Sequence, residues 1–311
     1  MSSIYVHIDP TTNPLDYSQS LPVSNIGPHI KIKGMFICII FVAFRVNVCD
    51  DDNNNTGKTV SAWGMMYAIT TFATALVVLP FLFVLSFVSD NVLNNKKRRK
   101  AVDWTVHLWA KVAMKACFTS PKVYGLENLP KHGETVMYVP NHTSFMDILM
   151  LSGFVPRPFK YLSKEEIRNI PVIGTAMNLA MHVFLKRDDL KSTLEVTDTT
   201  VQRLKDGNSM VLFAEGTRSP DGQIKTFKKG AFQMAKAAGV KIVPVSIGNM
   251  HRWMPKDALL PLAPIRHTYI RIHPAIETEG KPVSKIRSEC FEAVNSGLPL
   301  YQQSTDKKVT E

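Results

Sequence analysis

Cysteine is scarce in this 311-residue chain, and the few present follow no pattern. Cys38, Cys49, Cys117 and Cys290 include no C-x-x-C pair and no Cys/His cluster. That argues against a disulfide framework and a structural zinc site, and leaves thiols suited to a reducing compartment. Internal repeats and low-complexity segments are missing too. Acid is in short supply: 26 Asp and Glu against 37 Lys and Arg give +11 and a pI near 9.4. Such a surplus suits an anionic partner, whether nucleic acid, phospholipid headgroups or a phosphorylated metabolite. No aromatic RNA-binding or helix-turn-helix signature accompanies the charge, which argues against nucleic acid.

Charge is absent altogether from "AWGMMYAITTFATALVVLPFLFVLSFV", the 27 residues from Ala62 to Val88. At ~1.5 Å per residue a helix of this length exceeds the ~30 Å hydrocarbon core of a bilayer, so it reads as a membrane span with a tilt or a kink at Pro80. "CDDDNNN" precedes it and "KKRRK", Lys96 to Lys100, follows it. The positive-inside tendency therefore puts the C-terminal side in the cytosol, and the five bases can hold an anionic leaflet. "MFICIIFVAF", 35–44, is too short to span; a signal-like, an interfacial and a re-entrant reading all stay open. The rest of the first sixty residues lacks periodicity and is expected to be disordered. After the basic run, "VDWTVHLWAKVAMKACF" places Asp103, His107, Lys111 and Lys115 at four-residue spacing among apolar residues and two tryptophans. That is an amphipathic helix suited to a lipid interface.

From about residue 120 short β-rich runs alternate with helical stretches. Strands are predicted around "VMYV" (within 135–139), "FKYL" (159–162), "HVFLK" (182–186), "SMVLFA" (209–214), "KIVPVSI" (241–247) and "TYIRI" (268–272). Helices are predicted over 145–151, 190–204 and 230–238. The fold class is α/β: a layered domain around a mostly buried central sheet, preceded by a transmembrane helix and an amphipathic interfacial helix. The expected organisation is an N-terminal segment (1–60), a transmembrane helix (61–89), a basic run with the amphipathic helix (90–118), a catalytic domain (119–280) and a C-terminal helix and tail (281–311).

Two strand-end loops carry the chemistry. In "YVPNHTSFMD", His142 and Asp147 lie five apart, roughly 140° round a regular helix and so unable to share its face. If a strand ends before Asn141, however, His142 sits in a loop at the edge where open α/β sheets bind ligands. Ser144 then reads as an N-cap and Asp147 as its S-x-x-D partner in the first helical turn. A carboxylate on one imidazole nitrogen fixes the tautomer, and the other nitrogen is free to take a proton from a substrate hydroxyl. On spacing alone, a capping Asp beside a solvated His explains the pattern as well. In "VLFAEGTRSPDG", Gly216 allows close backbone approach and Arg218 offers a fork for a phosphate. Glu215 can hold that guanidinium or orient a substrate hydroxyl; an ordinary surface turn with an exposed ion pair is the alternative. Lys186 and Arg187 end a third strand, and Lys228 and Lys229 follow less specifically. Together these loops describe a pocket for a phosphorylated hydroxyl compound.

"NHTSFMD" resembles the N-H-x-S-x-x-D motif of the glycerolipid acyltransferases, and "FAEGTRS" resembles their F-P-E-G-T-R-S motif with Ala214 in place of proline. "VFLKR" (183–187) and "IVPVSI" (242–247) are similar to their other two blocks, and "KEEIRNIPVIG" (164–174) to a linking segment. The best overall similarity is to 1-acylglycerol-3-phosphate acyltransferases with a membrane-anchored N-terminus. The resemblance implies transfer of a fatty acyl group from acyl-CoA or acyl-carrier protein to lysophosphatidic acid, giving phosphatidic acid. Glycerol 3-phosphate or another lysophospholipid is the alternative acceptor, and a non-catalytic binder of anionic lipid the alternative class. It implies His142 as general base, Asp147 as its orienting partner, and Glu215, Gly216, Thr217 and Arg218 as acceptor-binding, with Arg218 on the phosphate. Lys186 and Arg187 would assist with an anionic group, Arg187 being the better match to the motif. No metal, cofactor or obligate protein partner is implied. The bilayer is the expected partner surface, with the catalytic domain on the cytosolic side of the endoplasmic reticulum or, alternatively, at the plastid envelope.

Overall fold

The computed structural model describes residues 5–7, 45–48, 58–87, 95–116, 118–169, 173–185, 190–258 and 260–304. Three short strands come first: β1 (Tyr5–His7), β2 (Arg45–Val48) and β3 (Lys58–Ser61) form an antiparallel sheet in the order β1-β2-β3. "MFICIIFVAF" lies outside the described residues. Helices α1 (Ala62–Phe87) and α2 (Asn95–Ala116) follow. The basic run thus forms the first turns of α2.

The domain continues through β4 (Lys122–Tyr124), β5 (Val136–Pro140), α3 (Met146–Phe154), β6 (Lys160–Lys164), α4 (Ile173–Leu179) and β7 (Val183–Leu185). Then come α5 (Leu190–Lys205), β8 (Met210–Val211), α6 (Gly230–Ala238), β9 (Lys241–Gly248), α7 (Met250–Trp253), β10 (Tyr269–Ile272) and α8 (Val283–Ser296). The seven strands from β4 onward form one sheet in the order β4-β10-β9-β5-β8-β6-β7. Neighbours from β9 to β7 run parallel, while β10 is antiparallel to β9 and parallel to β4.

Chain direction explains the layers. The crossover from β5 through α3 to β6 heads outward, whereas those from β7 to β8 and from β8 to β9 head back. Parallel crossovers are right-handed, so reversing direction moves the helices to the opposite face. Alternation along β5 fits this arrangement. Val136 and Tyr138 join a core with Ala110, Met114 and Met150 from α2 and α3, whereas Met137 and Val139 join one with Leu204, Phe232 and Ile286 from α5, α6 and α8. All five residues of β5 are buried, as expected of a parallel strand covered on both sides.

Helix α2 docks closely on α3. A Cβ on Gly153 would come within 2.8 Å of the Lys111 backbone nitrogen, so the approach of the two helices requires glycine there. Asp103 of α2 pairs with the buried Lys160 of β6, and the His107 ring meets the Ser152 carbonyl at 2.7 Å. The domain is contacted on either side of α1: Ser61 Oγ, at the end of β3, donates to the Pro261 carbonyl at 2.8 Å, and Leu82 of α1 packs with Val102 and Ala180. Within α1, Trp63–Leu82 is long and apolar enough to cross a membrane, with only 18% of that window buried. Ile69, Phe72, Val77 and Val84 of α1 and Trp104 of α2 are exposed, so this helix is not an ordinary core element.

Candidate active site

The parallel strands end at one edge of the sheet, and the chemistry-bearing loops leave from it. Asn141 follows β5 and is fully buried. Its Oδ1 accepts from the Ile247 N–H at 2.7 Å and its Nδ2 donates to the Ile247 carbonyl at 3.1 Å, extending the β5–β9 ladder by one side-chain rung. The next residue, His142, is thereby fixed to the end of β9.

The start of α3 forms the predicted reciprocal cap. Regular helix begins at Met146, but Phe145 already has helical angles (φ −62°, ψ −31°), which makes Ser144 the effective cap. Ser144 Oγ accepts from the Met146 N–H at 3.2 Å, and the Asp147 carboxylate accepts from the Ser144 N–H at 2.9 Å. The same Asp147 Oδ2 accepts from the Thr143 N–H at 2.8 Å and meets His142 Nδ1 at 3.0 Å. With Nδ1 donating to the buried Asp147 carboxylate, the lone pair of a neutral ring lies on Nε2. That is the tautomer a base needs.

The second loop closes over the same histidine. After Val211 the chain leaves the sheet, and a turn from Phe213 to Gly216 closes by a hydrogen bond from the Gly216 N–H to the Phe213 carbonyl at 3.0 Å. Glu215 Oε1 accepts from the His142 N–H at 2.7 Å, and the His142 carbonyl accepts from the Ser219 N–H at 2.8 Å. Both sides of the His142 main chain are therefore held by the E-G-T-R-S loop. Glu215 Oε2 accepts from the Lys225 N–H at 3.0 Å. Burial pushes the Glu215 carboxyl up to about 8, against these two N–H donors, with the nearby Asp147 charge acting in the same direction as burial. Each Glu215 oxygen accepts one main-chain N–H, so the side chain ties the two loops together. Gly216 has φ +73°, and a Cβ there would lie 2.9 Å from Lys228 Nζ. The close neighbour of this glycine is the Lys228 side chain.

His142, Gly216, Thr217, Arg218 and Lys228 line one cavity of about 1550 Å³, which reaches Phe72 and Ala75 of α1 and Trp104 of α2. The structure thus brings together His142, Asp147, Glu215, Gly216, Thr217 and Arg218. Lys186 and Arg187 lie outside the described residues; β7 ends just before them, at Leu185. Sequence reasoning did not single out Asn141, Phe213 or Ser219. Asn141 and Ser219 stand inside the quoted motifs, but their partners are distant main-chain groups that no local pattern reveals.

The sequence model of the Acyltransferase family matches residues 120–248, the stretch from before β4 to the end of β9. This chain belongs to the acyltransferase family, and relatives within it are 1-acyl-sn-glycerol-3-phosphate acyltransferases. It is 36% identical over 238 residues to such an enzyme from Chlamydomonas reinhardtii, covering 76% of this chain and 68% of that one. It is 38% identical over 236 residues to a chloroplastic one from Arabidopsis thaliana, covering 76% of this chain and 57% of that protein's length. Among solved structures, the 1-acyl-sn-glycerophosphate acyltransferase PlsC of Thermotoga maritima superposes with a TM-score of 0.64 at 28% identity, covering 75% of this chain and 94% of that one.

Proposed function

We propose that this protein moves an acyl group from a thioester donor to the free hydroxyl of lysophosphatidic acid, giving phosphatidic acid. The observation that carries this reading is the His142–Asp147 contact at 3.0 Å, with no hydrogen bond to the other imidazole nitrogen among the described residues and the ring lining the cavity. Nε2 takes the hydroxyl proton as the acceptor oxygen attacks the thioester carbonyl. A C–O bond forms and the C–S bond breaks; the imidazolium then returns its proton to the leaving thiolate. Asp147 orients the ring and offsets its positive charge. Arg218 and Thr217 meet the acceptor phosphate. Acyl-CoA and acyl-carrier protein present the same thioester to this step, which balances without metal or cofactor.

The cavity supports an acceptor that carries its own chain. About 1550 Å³ with walls from α1 and α2 is far more than glycerol 3-phosphate would fill. Both substrates are amphiphiles, and the exposed apolar faces of α1 and α2 suit seating at a bilayer, with the basic start of α2 toward an anionic cytosolic leaflet. The endoplasmic reticulum is the compartment we favour; the chloroplastic relatives support the plastid envelope as the other.

The test is an acceptor panel. Full-length protein in phospholipid vesicles is given labelled acyl-CoA with lysophosphatidic acid, other lysophospholipids or glycerol 3-phosphate. Phosphatidic acid should be the main product. Faster turnover of another acceptor would overturn the assignment of lysophosphatidic acid. Vesicle binding without thioester consumption, repeated with acyl-carrier protein as donor, would leave a lipid binder and no enzyme.

A further inference from the structure

Phe213 and His142 lie ring on ring, with centroids 3.9 Å apart and planes inclined by 22°. Stacked aromatic pairs usually keep centroids about 4.5–7 Å apart, so this contact is close and face to face. Phe213 is only partly buried and lines the same cavity as His142. Its position has a local cause. Strand β8 ends at Val211, the Leu212 N–H bonded to the Tyr138 carbonyl at 3.0 Å is the last link toward β5, and the turn closed on the Phe213 carbonyl swings the side chain over the β5 end.

We propose that Phe213 is a positioning residue for His142, fixing the imidazole plane and stabilising the imidazolium that forms when the acceptor gives up its proton. The proposal rests on the general-base reading of His142. One hydrogen bond to Asp147 fixes a point on the ring and leaves it able to pivot about the Nδ1···Oδ2 line. A stacked ring removes that freedom and holds Nε2 in one direction, which a near-attack geometry requires. There is also a difference between ground and transition states. The neutral imidazole gains only dispersion from the stack, whereas the imidazolium faces the negative π surface of the phenyl ring. An interaction that strengthens as the proton transfers raises kcat and leaves substrate binding alone.

The test compares Phe213→Leu, Phe213→Met and Phe213→Tyr with the parent and with His142→Ala, all as full-length protein in phospholipid vesicles with lysophosphatidic acid and acyl-CoA. Thermal melting establishes which variants fold, and the methionine variant serves if leucine does not. Loss of a cation–π contact should lower kcat roughly three- to thirty-fold in the aliphatic variant. KM for both substrates should stay near the parent's, and Phe213→Tyr, which keeps the π face, should recover most of the loss. Parental kcat in the aliphatic variant would overturn the proposal. So would an equal loss in the tyrosine variant, or a change confined to KM, which would make Phe213 part of the substrate wall. Near-normal turnover in His142→Ala is a separate outcome that removes the general-base reading itself.

Discussion

His142 and Asp147 stand five residues apart and meet at 3.0 Å because only Asp147 lies on a helix. The loop from Pro140 folds the imidazole back onto the first turn of α3. The carboxylate oxygen that receives it also accepts the Thr143 and Ser144 N–H groups. One atom therefore both builds the turn and orients the ring that the turn delivers.

Removing the base should be costly in turnover. His142→Ala is expected to lower kcat by at least ~10², the low end of general-base contributions. Asp147→Asn separates charge from scaffold. An amide oxygen can replace Oδ2 and accept the same three donors, while the amide nitrogen takes the place of Oδ1, a buried atom without a hydrogen-bond partner among the described residues. Leaving that new donor unpaired should cost about 1–3 kcal/mol of stability. The missing charge should lower kcat by roughly 10² or more with KM little changed. Steady-state kinetics on variants shown to be folded checks both; near-normal turnover in either would mean that the proton goes elsewhere.

Glu215 should make stability depend on pH in the unusual direction for a carboxyl. Its folded value is raised from 4.5 to about 8, so its contribution is fully present below 4.5 and is lost as pH rises through about 8. The unfolded chain ionises readily over that range, while the folded one must bury the charge. Glu215→Gln has no proton to lose. Its melting temperature should start lower, because an amide cannot accept both the His142 and Lys225 N–H groups with two oxygens, and should then vary less between pH 5 and 8. Parallel melting-temperature curves for the two proteins would assign the slope to other groups.

Arg218→Lys replaces a planar fork by a point charge. KM for lysophosphatidic acid should rise, with kcat changed much less, because the phosphate is held similarly in ground and transition states. An unchanged KM would make Arg218 a structural residue of its loop.

Much of the sheet was legible because its signals are local. The buried run of β5, the Ser144–Asp147 cap and α6, whose bounds Gly230–Ala238 coincide with the predicted 230–238, each follow from a few neighbouring residues. Strand β8 was overread. "SMVLFA" looks like one apolar strand, yet regular strand covers only Met210–Val211, and Phe213 stacks on His142. Strand β4 and helix α4 were missed. Three residues are too few to show a period, and α4 directly follows a proline-containing segment. The bond from the His142 N–H to Glu215 spans 73 residues, and no pattern within either motif could show that Glu215 serves the backbone of the other.

Ala214 stands where the related motif carries proline, at the second position of the turn from Phe213 to Gly216. Proline's fixed φ suits that position. No hydrogen bond among the described residues uses the Ala214 N–H, and its carbonyl, which accepts from the Lys228 N–H at 2.8 Å, would be retained. Ala214→Pro should therefore raise stability by about 0.4–1 kcal/mol through the unfolded state, with activity kept. A lower melting temperature would show that the turn does not hold φ near the proline value.

Asp103 and Lys160 join α2 to the sheet. Lys160 is 4% exposed at its side chain and Asp103 16%, so the pair is largely withdrawn from water. Removing one member of such a pair typically costs much more than replacing both with apolar groups of similar size. Asp103→Leu alone should therefore destabilise more than Asp103→Leu combined with Lys160→Met. The coupling energy from a double-mutant cycle by denaturant unfolding should exceed about 1 kcal/mol. The cavity gives the cycle a functional side: Asp103 and Trp104 line it together with His142, so loosening α2 should also raise KM for the chain-bearing substrates. Additive stabilities would show that α2 is held by the Gly153 contact and its apolar face, with the ion pair incidental.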